Sequence, residues 1–211
     1  MDREDFELLQ QWVEGERRAG DRLVKRYHKG IARFFMNAVG DQERRDLTNE
    51  TFMRLCSARH RFSGRSSFRS FLYGIARNVL NEFLRQKYRD GEFDPQLHTI
   101  EDTGQLSISR LISELVRKEV AMKCLRELPV ETKQMMELYY WHDMTADELG
   151  QMYGVPAATV RTRLHSARKQ LQKMIAKHQP DISSLDIDQQ LETLRRLLGF
   201  GPQKMDEQAG E

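Results

Sequence analysis

Apolar residues recur along this chain at intervals of three and four, while strand-like alternation is scarce. Phe6, Leu9 and Val13 are followed by Leu23, Val24, Tyr27, Ile31, Phe34 and Phe35, the inward stripe of amphipathic helices. The pattern restarts at Asp46-Leu47-Thr48, where Asp46 or Thr48 is the expected N-cap of a helix carrying Phe52 and Leu55. The stretch from Arg61 to Ser67 has no helical period and reads as a loop. A further helix is predicted from about Phe68 to about Lys87, with Phe68, Phe71 and Leu72 turned inward.

Past residue 90 the pattern breaks. Gly91, Pro95 and Gly104 interrupt any helix, and Glu92, Asp94, Glu101 and Asp102 make the stretch acidic, so residues 91–112 read as a linker. Short helices then fill 113–178, broken at Pro129, at His142-Asp143 and at Gly154. In the extension 179–211, Leu185, Ile187, Leu191, Leu194, Leu197 and Leu198 predict one short amphipathic helix, and the stretch from Gly199 reads as disordered. The expected architecture is all-α: two helical domains, 1–90 and 113–178, an acidic linker and a short C-terminal helical tail.

A length of 211 residues allows both domains to bury a core. No apolar run approaches the ~20 residues of a membrane span. The start, Met1-Asp2-Arg3-Glu4-Asp5, lacks the layout of a secretory signal. Cys56 and Cys124 are too few and too distant for a disulfide framework. These features predict a cytoplasmic protein with no membrane insertion.

The net charge of +2 hides a segregation. Between Arg54 and Arg89 nine Lys or Arg stand against one acid, Glu82, and between Thr159 and His178 six stand against none. A solvated helix face normally mixes signs. Two basic stretches flanking an acidic linker fit two contacts on one polyanion.

The most specific local signal begins at Met144-Thr145-Ala146-Asp147-Glu148. Thr145 and Glu148 have the spacing of a capping box. Gly154 ends the helix they start, and Pro156 suits the first turn of the next. Two helices joined by a tight glycine turn are a helix-turn-helix. In the second helix Val160, Leu164, Ala167, Leu171 and Met174 form the inward stripe. Thr159, Arg161, Thr162, Arg163, His165, Ser166, Arg168 and Lys169 are left outside, and these side chains suit base edges and phosphates.

The first basic block interleaves Phe62, Phe68, Phe71, Tyr73 and Phe83 with Arg61, Arg65, Arg69, Arg77 and Arg85. Aromatics stack on unpaired bases while arginines hold the backbone. Ser63-Gly64-Arg65-Ser66-Ser67 suits a small polar pocket for an extruded base.

Asp46 to Phe52, Phe62-Ser63-Gly64 and Phe68 to Asn78 resemble region two of the extracytoplasmic-function sigma factors; Leu128-Pro129 and Thr159 to Arg168 resemble their region four. Family members commonly carry Trp where Phe71 stands, Asp at Glu82 and Arg at Ser166. The resemblance implies an alternative sigma factor, with core RNA polymerase and promoter DNA as partners and an anti-sigma protein as a further one. It implies that Asp46, Asn49, Glu50, Phe52 and Leu55 dock on the clamp coiled coil of the β′ subunit. It implies that the loop from Phe62 to Ser67, with Asn78 beneath it, traps a flipped base of the minus-ten element, helped by Arg61, Arg77 and Arg85. Region four would meet the β flap and read the minus-thirty-five element. A stand-alone helix-turn-helix regulator is the alternative. The sequence has no phosphate loop, serine elbow or dinucleotide fingerprint, and no catalytic motif places a carboxylate, so no enzyme, metal or cofactor is expected. Cys56 and His60, four apart, lack the second ligand pair of a structural zinc site.

Overall fold

The computed structural model describes residues 3–36, 38–89, 120–125, 127–178 and 187–197, and the regular elements among them are helical. The chain divides into two compact units, Met1–His98 and Thr99–Glu211. The expected linker 91–112 and the stretch from Gly199 lie outside the described residues.

The first unit contains α1 (Arg3–Val13), α2 (Arg17–Met36), α3 (Asp41–Ala58), a 3-10 turn (Arg59–Arg61) and α4 (Phe68–Arg89). Helix α2 packs against α1, α3 and α4, and its stripe Leu23, Ile31, Phe34 and Phe35 is fully buried. Leu55 of α3 and Leu72 and Leu80 of α4 complete the core. Full burial of such a side chain contributes roughly 1.5–3 kcal/mol. Helix α1 is tied down by its own polar residue: the Asp5 carboxylate, 1% exposed, pairs with Arg26 Nη1 at 2.5 Å and accepts from the Tyr27 hydroxyl.

Helix α3 starts earlier than the apolar pattern suggests. Its N-cap is Gly40, so Asp46 and Thr48 lie inside the helix. Its first turn carries Asp41 and Glu43, which complement the positive end of the helix dipole without any apolar signal. Thr48 and Thr51 are buried, and each hydroxyl donates to the carbonyl four residues back, at 2.7 Å. This local bond satisfies a polar group that otherwise suggests a cap.

The second unit contains helical residues 120–125, α5 (Val130–Trp141), α6 (Ala146–Tyr153), α7 (Ala157–His178) and α8 (Ile187–Leu197). Leu125, Met135, Met136, Leu138, Trp141 and Leu149 are buried at its centre. Helix α8 packs on α5 through Ile187 and Leu191. Its Arg195, 3% exposed, donates to the Tyr140 carbonyl and pairs with Asp143 at 2.9 Å. The predicted tail helix is thus part of the second unit. Leu185 and Leu198 lie outside the described residues.

Candidate nucleic-acid interface

The turn between α6 and α7 is fixed from both ends. Thr145 Oγ1 accepts from the Glu148 amide at 3.2 Å, and Glu148 Oε2 accepts from the Thr145 amide at 3.0 Å, completing the capping box. Gly154 sits at φ 66°, ψ 34°, the left-handed region where a side chain is penalised. The Gly154 and Val155 amides both donate to the Gly150 carbonyl. Pro156 stands just before α7 rather than within its first turn, and its carbonyl accepts from the Thr159 and Val160 amides.

Helix α7 buries Val160, Leu164, Ala167 and Leu171 as the period requires. The next inward position is Ile175, 3% exposed, while Met174 is only half-buried. Arg161, Thr162, Arg163, His165, Ser166 and Lys169 are exposed, and Thr159 is half-buried. The Thr162 hydroxyl donates to the Ala158 carbonyl at 3.0 Å. Arg161 lies 3.9 Å from Asp147 and Arg163 3.7 Å from Glu131. Such long, exposed pairs are worth little and yield readily to a phosphate. Arg168 is different: it is half-buried, and its Nη1 lies 3.1 Å from Asp188 Oδ1 on α8.

In the first unit the predicted loop joins the 3-10 turn to α4. Phe62 is a half-buried wedge, with ring centroids 6.1 Å from Phe6, 6.5 Å from Phe68 and 5.2 Å from Phe71. Ser63 and Arg65 are exposed, and Gly64 and Ser66 are half-buried. Ser67 belongs to the helix start: its Oγ accepts from the Ser70 amide at 3.1 Å. Asn78 is exposed on α4. It lines an open groove of about 450 Å³ between α3 and α4, with Arg61, Glu50, Arg54 and Glu82. Arg77 is half-buried and Arg85 exposed.

The outer face of α3 carries exposed Asp46, Asn49 and Met53, the last 66% exposed, with Glu50 half-buried beside them. Phe52 and Leu55, 8% and 0% exposed, point into the core; they hold the helix rather than present a docking face. Arg54 bridges the groove, pairing with Glu50 at 2.6 Å and Glu82 at 2.7 Å, and these carboxylates raise its pKa further. Lys87 is likewise paired, with Glu43 at 3.0 Å, so part of the basic block is neutralised internally. Cys56 is half-buried and His60 exposed; among the described residues no cluster of metal-ligating side chains forms.

Sequence reasoning missed four residues. Met53 broke no pattern. Phe6 belongs to a separate helix, yet it supports the loop from below. Asp188 and Arg195 sit in the extension, and only folding brings them to α7 and α5. Phe6→Ala is expected to cost roughly 1–2 kcal/mol, below a fully buried ring because Phe6 is half-buried. Urea unfolding would read that cost, and faster proteolysis near Ser63 would show that the loop had lost its support.

A model of the sigma-70 region 2 family matches residues 23–90, and one of sigma-70 region 4 matches 118–171. The chain is 26% identical over 183 residues to the RNA polymerase sigma-H factor of Pseudomonas aeruginosa, covering 82% of this chain and 94% of that protein. It is 25% identical to the ECF RNA polymerase sigma factor SigW of Bacillus subtilis, over 79% of this chain and 94% of that one. Among solved structures it resembles CnrH, in complex with the cytosolic domain of CnrY, at TM-score 0.62 and 21% identity, covering 82% of this chain and 98% of the other. It also resembles the sigma factor RpoE of Bartonella quintana, in complex with the anti-sigma factor NepR, at TM-score 0.58 and 18% identity over 74% and 95% of the two chains.

Proposed function

The chain belongs to the extracytoplasmic-function family of sigma factors, and from that premise we propose how its two units divide the work. It is an alternative sigma factor: it binds core RNA polymerase and directs it to specific promoters. Residues 1–90 act as region two, 113–178 as region four, 91–112 as the connector and 179–211 as an extension of the second unit.

In the first unit, the exposed face of α3 docks on the β′ clamp coiled coil through Asp46, Asn49 and Met53, with Glu50 beside them. Phe52 and Leu55 brace that face from inside. The loop Phe62 to Ser67 meets the minus-ten element. Ser63, Gly64, Arg65 and Ser66 are the groups available to an extruded base, while Ser67 holds the start of α4. Arg61 and Asn78 offer a second polar surface at the groove, and Arg77 and Arg85 lie along the strand's course. Extruding a base costs a few kcal/mol, offset by the pocket and by polymerase. The second unit contacts the β flap and lays α7 in the major groove at the minus-thirty-five element. The first turns, with Arg161, Thr162 and Arg163, meet base edges, and Lys169 meets phosphate. The factor acts by binding alone, in the cytoplasm where its polymerase works, and an anti-sigma protein is the partner class that would hold it in reserve.

The observation that carries this proposal is the exposed, acid-free outer face of α7 on a fully capped helix-turn-helix, joined in one chain to a second basic unit. Transcription by purified core polymerase on a promoter library, with and without the protein, tests it. Initiation that depends on the protein and shares a two-part motif is expected. On such a promoter Arg161→Ala with Arg163→Ala should lower initiation roughly tenfold to a hundredfold. Tight operator binding without polymerase, and no effect on initiation, would return the stand-alone regulator.

A further inference from the structure

Arg161, His165 and Arg168 follow one another at intervals of four and three, so they form one line along α7, about 10 Å long. Arg161 and His165 are exposed, but the line ends under α8. Asp188, in the first turn of that helix, is 53% exposed and receives Arg168 Nη1 at 3.1 and 3.3 Å on its two carboxylate oxygens. The Tyr140 phenol lies on the same guanidinium. Arg168 itself keeps 30% of its side chain exposed, so an arriving phosphate can reach it. The contact is optional for docking α8: Ile187 and Leu191 are buried, and Arg195 ties the other end of the helix to the Tyr140 carbonyl and to Asp143. These residues lie beyond 171, where the region 4 match ends.

We propose that Asp188 is a positioning residue that competes with DNA phosphate for Arg168, so that the C-terminal helix sets how much of the recognition helix's positive charge the promoter can use. The proposal rests on α7 being the DNA-contacting helix. A partly exposed ion pair is weak and screened by salt, whereas a guanidinium on a phosphate also releases a condensed counterion. The exchange is therefore close to balanced, and a small change at Asp188 shifts it. Arg168 stands in the second half of α7, where helices of this type meet the backbone rather than the bases, so the effect is on affinity and not on sequence choice.

The test uses the full chain and a fluorescein-labelled duplex of random sequence, with binding followed by anisotropy between about 50 and about 200 mM salt. Asp188→Asn should bind about threefold to tenfold more tightly at the lowest salt, and its slope of log affinity on log salt should steepen by up to about one phosphate. Removing an acid anywhere raises affinity a little, so the deciding variant is Arg168→Ala combined with Asp188→Asn: the gain should disappear in that background. An unchanged affinity and slope for Asp188→Asn, or a gain that persists without Arg168, overturns the proposal. Arg161→Ala and Lys169→Ala separate it from the reading beneath it. If those two weaken binding while Asp188→Asn does nothing, α7 still meets DNA and only the competition fails. If no variant, and not even the parent chain, shows binding at low salt, both fail together.

Discussion

Gly150→Ala should unfold the second unit on the order of 15 °C earlier than the parent chain and abolish transcription that depends on the upstream promoter element. A Cβ at this position would stand 2.7 Å from the Val155 carbonyl oxygen and 3.3 Å from the Ala157 nitrogen. Both neighbours are backbone, so no side chain can swing away. Relief requires α6 and α7 to separate, and that would break the bond from the Val155 amide to the Gly150 carbonyl. Overpacking of this kind costs about 3 kcal/mol when the backbone cannot yield. Gly154→Ala is the informative control. Nothing lies within 4 Å of its Cβ position, so its cost is conformational only, about 1–2 kcal/mol for the left-handed backbone. Calorimetry of the full chain should show a loss for Gly150→Ala clearly larger than that for Gly154→Ala, with the transition of the first unit unmoved. Equal losses would mean that the close approach at Gly150 is not what holds the two helices together.

These two glycines also show what the sequence could and could not disclose. Gly154 was legible because its role is local: it follows a capped helix at the length of two turns, and φ is decided by the residue itself. Gly150 looked like any helical glycine, since its constraint is a carbonyl from the far side of the turn. The capping box was legible for the same local reason. The start of α3 was not, because a first turn of charged residues carries no apolar period and the two buried threonines bond back to their own helix. The family resemblance gave Phe52 and Leu55 a docking role, and the helical period turned Arg168 outward, neither with knowledge of the neighbours. An apolar pair on a docking helix is as easily its core support, and an outward arginine remains open to solvent only if nothing later in the chain covers it. Helix α8 does so from twenty residues away, counting from Arg168 to Asp188.

The same distinction makes Asp5 the position of largest expected effect in the first unit. It lies in α1, before residue 23 where the region 2 match begins, and nothing in its sequence context marks it. Its buried carboxylate holds Arg26 and the Tyr27 hydroxyl together, and through them it clamps α1 to α2. Asp5→Ala takes the acceptor from a buried phenol, while Arg26 keeps its pair with Glu4 at 2.6 Å, so the change should cost about 2 kcal/mol. Asp5→Asn keeps an acceptor for Tyr27 and loses only the charge, so it should cost about half as much. Burial, then the hydrogen bond to Asp5, hold the Tyr27 phenol above its usual value of 10.0. The neutral phenol is therefore the form the fold favours: its contribution is complete below pH 10 and is lost as pH rises beyond that value. In Asp5→Ala, burial remains while the hydrogen bond goes, so the phenolate absorbance of Tyr27 should appear at lower pH than in the parent chain. The functional consequence follows from α1. Released from α2, it withdraws Phe6 from Phe62, and the loop proposed to meet the melted strand loses its floor. Affinity for core polymerase, which we assign to the exposed face of α3, should survive in Asp5→Asn while promoter opening, followed by permanganate reactivity of unpaired thymines, falls. Equal loss of both, at a melting temperature still close to that of the parent, would place the function of α1 in polymerase docking instead.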